Sequence, residues 1–95
     1  MKPKSTIFNT LGLARKAGYI IDGQERVLSA LKQYPKGVVF LANDAGENSR
    51  KKVKDKTKYY NILLDESYST DDLSKAIGKI NRKVILLTNA KFIKQ

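Results

Sequence analysis

The sequence predicts an α/β sandwich, because short apolar strands alternate along it with amphipathic helices. Residues 38–42 form an unbroken apolar run, which is typical of a strand covered on both faces. The helix signal is clearest where four apolar residues follow the i, i+3, i+4, i+7 spacing of one buried side, namely Leu73, Ala76, Ile77 and Ile80. A sheet flanked by helices on both faces buries the apolar strands and the apolar sides of the helices together.

The same two periodicities, together with capping residues, predict the other elements. In chain order they are a helix capped by Ser5 or Thr6 that ends at Gly18, a strand at 19–21, a helix from Gly23, the strand at 38–42, a helix at 49–57, a buried strand at 62–64, a helix capped by Ser69 or Thr70, a strand at 84–87 and a short terminal helix capped by Asn89. Asp22 and Glu25 have the spacing of a capping box for the second helix.

Charge and composition restrict the function. Nineteen Lys and Arg residues against nine Asp and Glu give a net charge of +10, which favours nucleic acid as the partner. A membrane surface is the weaker choice, because no predicted helix combines a lysine-rich side with a broad side of large apolar residues. Because the sequence shows no secretory signal, no membrane-spanning run and no cysteine, we expect one cytoplasmic domain over residues 1–95.

Residues that usually carry catalysis are scarce. The sequence contains neither histidine nor cysteine, which removes the commonest general base, the commonest metal ligand and thiol chemistry. We therefore expect no enzymatic activity, no cofactor and no bound metal. A Mg²⁺ site built from Asp65 and Glu66 is the remaining catalytic alternative, because Mg²⁺ prefers carboxylate ligands.

The junction of Asp22 and Gly23 is the first candidate binding site. A helix start exposes backbone N–H groups and about half a positive charge, and glycine lets a ligand approach closely, so anions bind there. A purely local role for the glycine is the alternative interpretation.

A basic patch on the predicted third helix is the second candidate. It holds six cations within nine residues, namely Arg50, Lys51, Lys52, Lys54, Lys56 and Lys58, with Asp55 as the only counter-charge. Like charges at i and i+4 each cost a few tenths of a kcal/mol, which an anionic partner would offset. A solvated helix surface is the alternative.

Three tyrosines can either stack on unpaired bases or simply pack their rings, namely Tyr59, Tyr60 and Tyr68.

The order of four segments, GLARKAG, IIDGQERVLSAL, VVFLANDAG and DDLSKAIGK, resembles the L7Ae/L30e family of kink-turn RNA-binding ribosomal proteins, and within it the bacterial YlxQ-like branch. The resemblance runs from about Leu11 to Phe92. It implies a three-layer α/β/α sandwich with a mixed sheet of about four strands. It also implies ribosomal or other structured non-coding RNA as the partner, with ribosomal proteins as further partners. We expect a monomer that does not bind membranes.

The resemblance also implies where RNA binds. In that family the start of the second helix enters a sharply bent RNA and reads sheared guanine–adenine pairs through a Gly-x-Asn-Glu motif with a lysine three positions later. Gly23 keeps the glycine. Glu25 stands in place of Asn, Arg26 in place of Glu, and Ser29 in place of Lys. We expect Gly23→Glu to weaken RNA binding about tenfold or more, with little loss of stability.

The second contact implied by the resemblance is the loop before the fourth helix, at residues 65–70. The candidate RNA-binding residues are Lys16, Gly23, Gln24, Glu25, Arg26, Ser29, Lys32, Ser67 and Tyr68, with a secondary basic patch of Arg50, Lys51, Lys52 and Lys54. The predicted function is recognition of a kink-turn or similar bent internal loop by a ribosome-associated protein. The alternative is a basic interaction module of the ribosome or RNA machinery that binds through helix 50–58 without kink-turn specificity.

Overall fold

Four helices alternate with four strands in the computed structural model, which describes residues 4–89. The elements are α1 (Lys4–Lys16), β1 (Ile20–Asp22), α2 (Gln24–Ala30), β2 (Val38–Leu41), α3 (Glu47–Tyr60), β3 (Leu63–Asp65), α4 (Thr70–Ala76) and β4 (Val84–Leu87). A 3₁₀ turn, Leu31–Gln33, extends α2. This order confirms the predicted alternation, while several boundaries differ for local reasons.

The strands form one mixed sheet in the order β1-β4-β2-β3. β4 pairs antiparallel with both β1 and β2, whereas β2 and β3 are parallel and are joined through α3. A parallel pair needs such a crossover because its strands run in the same direction. α1 packs against α4 and α2 packs against α3, so the predicted three-layer α/β/α sandwich is confirmed.

The two central strands form the middle of the core. Val38–Leu41 and Val84–Leu87 are buried at every position, as expected for strands covered on both faces. Phe40 is the bulkiest of the fully buried side chains. Leu11 of α1 and Val27 of α2 are also fully buried, so both predicted helical stripes face this core.

Two apolar residues that the sequence predicts to be buried are exposed. Leu63 is 70% exposed, because β3 lies at the edge of the described sheet, next to β2. Ile80 is 84% exposed, because α4 ends at Ala76 and Gly78 turns the chain with a φ of 68°. The buried side of α4 therefore does not extend beyond Ile77.

α3 is longer than the predicted helix at 49–57. It ends where Asn61 adopts the left-handed conformation, with a φ of 57°, and donates its N–H to the carbonyls of the preceding turn. Tyr59 and Tyr60 therefore lie on the last turn of a helix and not at a strand end. No helix in the described part, α3 included, is long and apolar enough to cross a membrane.

Helix capping is predicted correctly for α4 and wrongly for α1. The Ser69 hydroxyl accepts from the Asp72 N–H at 3.1 Å, and the Asp72 carboxylate accepts from the Ser69 N–H at 3.3 Å, which completes a capping box. Ser5 and Thr6 lie inside α1 rather than before it. The helix predicted after Asn89 falls on residues 90–95, outside the described part.

Candidate nucleic-acid interface

The start of α2 and the loop before α4 lie at the same edge of the sheet. β1, β2 and β3 end at this edge and β4 begins there. The Gly23 N–H donates to the Val84 carbonyl at 3.0 Å, and the Asn43 N–H donates to the Tyr68 carbonyl at 2.9 Å. Gly23 thus contacts the start of β4 and Tyr68 the segment that follows β2, and these two strands are neighbours in the sheet. We call this region the carboxyl edge, comprising residues 22–26, 43–46 and 66–70.

Gly23 is the N-cap of α2 and leaves the helix start open. Its φ of 96° is a conformation that L side chains rarely adopt, and no side chain of residues 4–89 caps the helix with a hydrogen bond. The backbone N–H groups of residues 24–26 donate no hydrogen bond within the described part of the chain. Such donors point out of the helix start, so they can bind an anion or the acceptor edge of a base.

Asp22 does not form the predicted capping box with Glu25. It is the last residue of β1, and its carboxylate accepts from Arg82 Nε at 2.7 Å and lies 3.8 Å from Lys79 Nζ. Only 11% of the Asp22 side chain is exposed, so the ion pair is largely shielded from solvent. Asp22 thereby ties the β1–α2 junction to the segment that leads into β4.

Sequence reasoning missed Arg82 and Lys79 as cations of this region. Arg82 is 60 positions from Asp22, so no local pattern links the two, and the basic composition between α4 and β4 is the only hint. The Arg82 and Lys79 side chains are 39% and 34% exposed. Both therefore pair with Asp22 and still reach solvent near the helix start.

We expect Asp22→Asn to lower the free energy of unfolding by about 1–3 kcal/mol, because Arg82 and Lys79 lose a shielded charged partner. Urea denaturation at low ionic strength measures the change. Asp71→Asn is the matched control, since Asp71 lies 3.2 Å from Lys75 but its side chain is 74% exposed. Loss of that exposed pair should cost only a few tenths of a kcal/mol. Equal losses in the two variants would contradict the structural role of Asp22.

Glu25, Arg26 and Ser29 come together on the exposed side of α2. With Ile21 they line a shallow groove beside the edge strand β1, while Gln24 is half-buried at the helix start. The groove therefore presents a carboxylate, a guanidinium and a hydroxyl. The carboxylate only accepts hydrogen bonds and the guanidinium only donates them, whereas an Asn side chain does both.

Lys16 and Lys32 do not reach the carboxyl edge. Lys16 ends α1 and leads through Gly18 to the first residue of β1, whereas the carboxyl edge follows the last residue of that strand. Lys32 lies in the 3₁₀ turn, about 13 Å along the helix from Gly23. The structure thus separates these two lysines from the other candidates.

Tyr68 packs against the core. Its ring centroid lies 6.4 Å from that of Phe40 at an angle of 49°, and the residue is half-buried. Burial, and then the negative charges of Asp65 and Asp72, raise the pKa of Tyr68 above its ordinary value of 10.0. The hydroxyl therefore stays protonated at neutral pH and can donate a hydrogen bond.

Hydrogen bonds fix the loop that carries Ser67 and Tyr68. The Ser67 N–H donates to Asp65 Oδ1 at 2.8 Å, and the N–H and hydroxyl of Thr70 donate to Asp44 Oδ1 at 3.0 and 2.6 Å. The Thr70 hydroxyl, followed by its N–H, lowers the pKa of Asp44 below the ordinary value of 3.8. Charged Asp44 thus stabilises the fold above this ordinary pKa, and the effect is lost as the pH falls through the lowered pKa.

Glu66 divides the predicted basic patch. Its carboxylate lies 3.2 Å from Arg50 Nη2 and 3.4 Å from Lys54 Nζ, so two of the four residues of the secondary basic patch are already paired. Asp55 is the only acidic residue within the run itself, and the loop after β3 brings Glu66 to α3 as a further counter-charge. Lys51 and Lys52 are exposed and form no ion pair within the described residues.

The carboxylates of Asp65 and Glu66 are directed to protein groups. Asp65 accepts from the backbone of its own loop, and Glu66 faces the two cations of α3. Across residues 4–89, no group of three or more His, Cys, Asp or Glu side chains is arranged to hold a metal ion. The two carboxylates therefore stabilise the loop and do not converge on one point.

Comparison with known proteins agrees with the fold. The model of the ribosomal protein L7Ae/L30e/S12e/Gadd45 family matches residues 5–93, and this chain belongs to that family. It is 40% identical over 87 residues to the RNA-binding protein YlxQ of Enterococcus faecium, covering 92% of this chain and 84% of that protein. It is 34% identical over 85 residues to the RNA-binding protein YlxQ of Bacillus subtilis strain 168, covering 90% and 85%.

A solved structure is also similar. It is that of a protein with unknown function from Bacillus halodurans C, which is 35% identical in sequence and superposes with a TM-score of 0.84 over 90% of this chain and 87% of that one. The resemblance found in the sequence segments is therefore confirmed at the level of family and fold.

Proposed function

We propose that this chain is an RNA-binding protein that recognises a kink-turn or similar bent internal loop through the start of α2. The observation that carries the proposal is the open helix start, where Gly23 provides no cap and three backbone N–H groups have no partner within the described residues. Family membership, the similarity to the RNA-binding YlxQ proteins and the net charge of +10 support it. The target belongs among ribosomal or other structured non-coding RNAs.

The groups beside Gly23 define how such an RNA is read. Glu25 accepts hydrogen bonds from guanine or cytosine amino groups, and Arg26 donates to phosphate or to the acceptor edge of guanine. Arg82 and Lys79 add positive charge next to the helix start. At the other end of the carboxyl edge, Ser67 and the protonated Tyr68 hydroxyl contribute polar contacts.

The chain acts, in this proposal, as one cytoplasmic domain without a cofactor. Its net charge of +10 disfavours self-association, which supports a monomer. The family description, which names ribosomal proteins, supports the proposal that the chain associates with the ribosome.

Three RNAs test the proposal: a kink-turn, the same RNA with its guanine–adenine pairs replaced by Watson–Crick pairs, and a plain duplex. We expect the kink-turn to bind about tenfold or more tightly than the other two, at both about 50 and about 200 mM salt. Fluorescence anisotropy gives the dissociation constants. Equal affinities for the three RNAs would refute kink-turn recognition.

A second candidate function rests on the unpaired lysines of α3. In that case the chain is a basic module that binds RNA through helix 50–58 without kink-turn specificity. The double variant Lys51→Ala/Lys52→Ala separates the two functions, because phosphate contacts carry no sequence information. Under the first proposal it weakens binding to all three RNAs by a similar factor and preserves the preference for the kink-turn.

A further inference from the structure

We propose that the groove between α2 and α3 is a second nucleic-acid site, which stacks an unpaired base on Tyr59 and holds the neighbouring phosphates with Lys52 and Lys56. This site goes beyond the proposed function and does not depend on it. The groove has a volume of about 680 Å³ and is lined by Leu28, Lys52, Asp55, Lys56, Tyr59 and Tyr60.

The groove is separate from the proposed kink-turn site. α2 presents Leu28 to it, whereas Glu25, Arg26 and Ser29 line the other groove, beside β1. Tyr59 lies on the last turn of α3, at the end of that helix remote from the carboxyl edge. One RNA can therefore occupy the carboxyl edge while an unpaired segment lies in the α2–α3 groove.

Tyr59 presents an unusually open aromatic ring. The residue is 79% exposed, although a large apolar ring usually packs. Its centroid lies 4.9 Å from that of Tyr60 at 89°, and Tyr60 is half-buried against the core. This edge-to-face contact holds the Tyr59 ring in place while leaving most of it accessible. Base stacking on such a ring strengthens binding about fivefold or more per base.

The charges of the groove suit a nucleotide. Lys52 and Lys56 are one turn apart on α3 and, within the described residues, form no ion pair, in contrast to Arg50 and Lys54. Both ammonium groups are therefore available for phosphates. Asp55 adds an acceptor to the same groove, and it can pair with the amino group of cytosine, adenine or guanine.

An acidic peptide fits this groove less well. Its carboxylates would gain from the lysines and be repelled by Asp55 as phosphates are, but they offer no amino group for Asp55 to accept from and make no use of an open aromatic ring. A positive groove with an exposed aromatic side chain is the arrangement that single-stranded nucleic-acid sites share. An unpaired RNA segment is therefore the occupant that uses all of the groups.

Binding of an eight-nucleotide oligocytidylate to the full chain tests the site. This probe forms no kink-turn, so the outcome does not depend on the first proposal. We expect Tyr59→Ala to weaken binding about fivefold or more, since it removes stacking, and Tyr59→Phe to stay within about twofold because the ring remains. Circular dichroism checks that both variants are folded. Unchanged binding by folded Tyr59→Ala would overturn the proposal.

A pair of charge variants provides the second arm. Lys52→Ala/Lys56→Ala should lower the slope of log affinity against log salt by about 1.4, or about 0.7 per lost contact with a single strand. Lys51→Ala/Lys58→Ala removes the same charge from α3 but outside the groove and should change the slope much less. Equal slopes for the two pairs would overturn the site in favour of diffuse electrostatic binding.

An acidic decapeptide that binds as tightly as the oligonucleotide and is equally sensitive to Tyr59→Ala would overturn the site in favour of a protein partner.

Discussion

Gly23→Glu should bind kink-turn RNA at least about tenfold more weakly than the parent chain. The new carboxylate would lie among the free N–H groups of the α2 start and repel the phosphates or base acceptors that we assign there. The structure also corrects the expectation of little destabilisation, because the φ of 96° at Gly23 is strained for any other residue. The strain should lower the free energy of unfolding by about 1–3 kcal/mol.

Gly18→Glu is the matched control for this prediction. Gly18 also has a positive φ, 85°, with open space where a side chain would begin, so the substitution adds the same charge and similar strain. It lies at the opposite end of β1 from Gly23. We expect its RNA affinity to stay within about threefold of the parent, because no assigned contact is near it. A similar loss of affinity in both variants would show that strain or net charge causes the effect.

Phe40→Ala should cause the largest loss of stability in the molecule, about 3–5 kcal/mol. Phe40 is only 1% exposed in the central strand β2, so truncation leaves a cavity that the sheet cannot close. It also removes the ring against which Tyr68 packs, which loosens the loop before α4. Urea denaturation measures the free energy of unfolding.

Phe40→Leu is the control for this core prediction, because it keeps most of the buried apolar volume. We expect it to cost less than about 1.5 kcal/mol and to leave the chain folded where Phe40→Ala is too unstable to measure. A loss below about 1 kcal/mol in Phe40→Ala would mean that the core relaxes around the missing ring.

The core of the fold could be predicted from the sequence because it depends on local patterns. The apolar run at 38–42 identifies a strand covered on both faces, and this prediction does not depend on how the helices are arranged. The edge position of β3 could not be predicted this way, since Leu63 looks as apolar as its neighbours and only strand order exposes it. The end of α4 was missed because Gly78 stops the helix before its apolar pattern ends.

The candidate site is predictable only where it is local. Gly23 could be predicted as a candidate because a glycine at a helix start has a recognisable pattern and the resemblance to the family implies a role for it. The ion pair of Asp22 with Arg82 joins residues 60 positions apart. The sequence around Asp22 alone therefore indicates only a carboxylate that could cap the helix. Glu66 likewise pairs with Arg50 and Lys54 of α3 but lies outside that helix. Counting the charges along α3 alone therefore cannot reveal this pairing.

Amide chemical-shift mapping of the isotope-labelled chain with kink-turn RNA tests most directly whether the start of α2 binds RNA. We expect the largest shifts at residues 23–26, because the N–H groups of residues 24–26 have no partner within the described residues, and further shifts at residues 67–68. The amides of residues 16–18, at the opposite end of β1, should stay unchanged. Shifts confined to α3, with residues 23–26 unaffected by saturating RNA, would contradict the proposal that this helix start is the RNA-binding site.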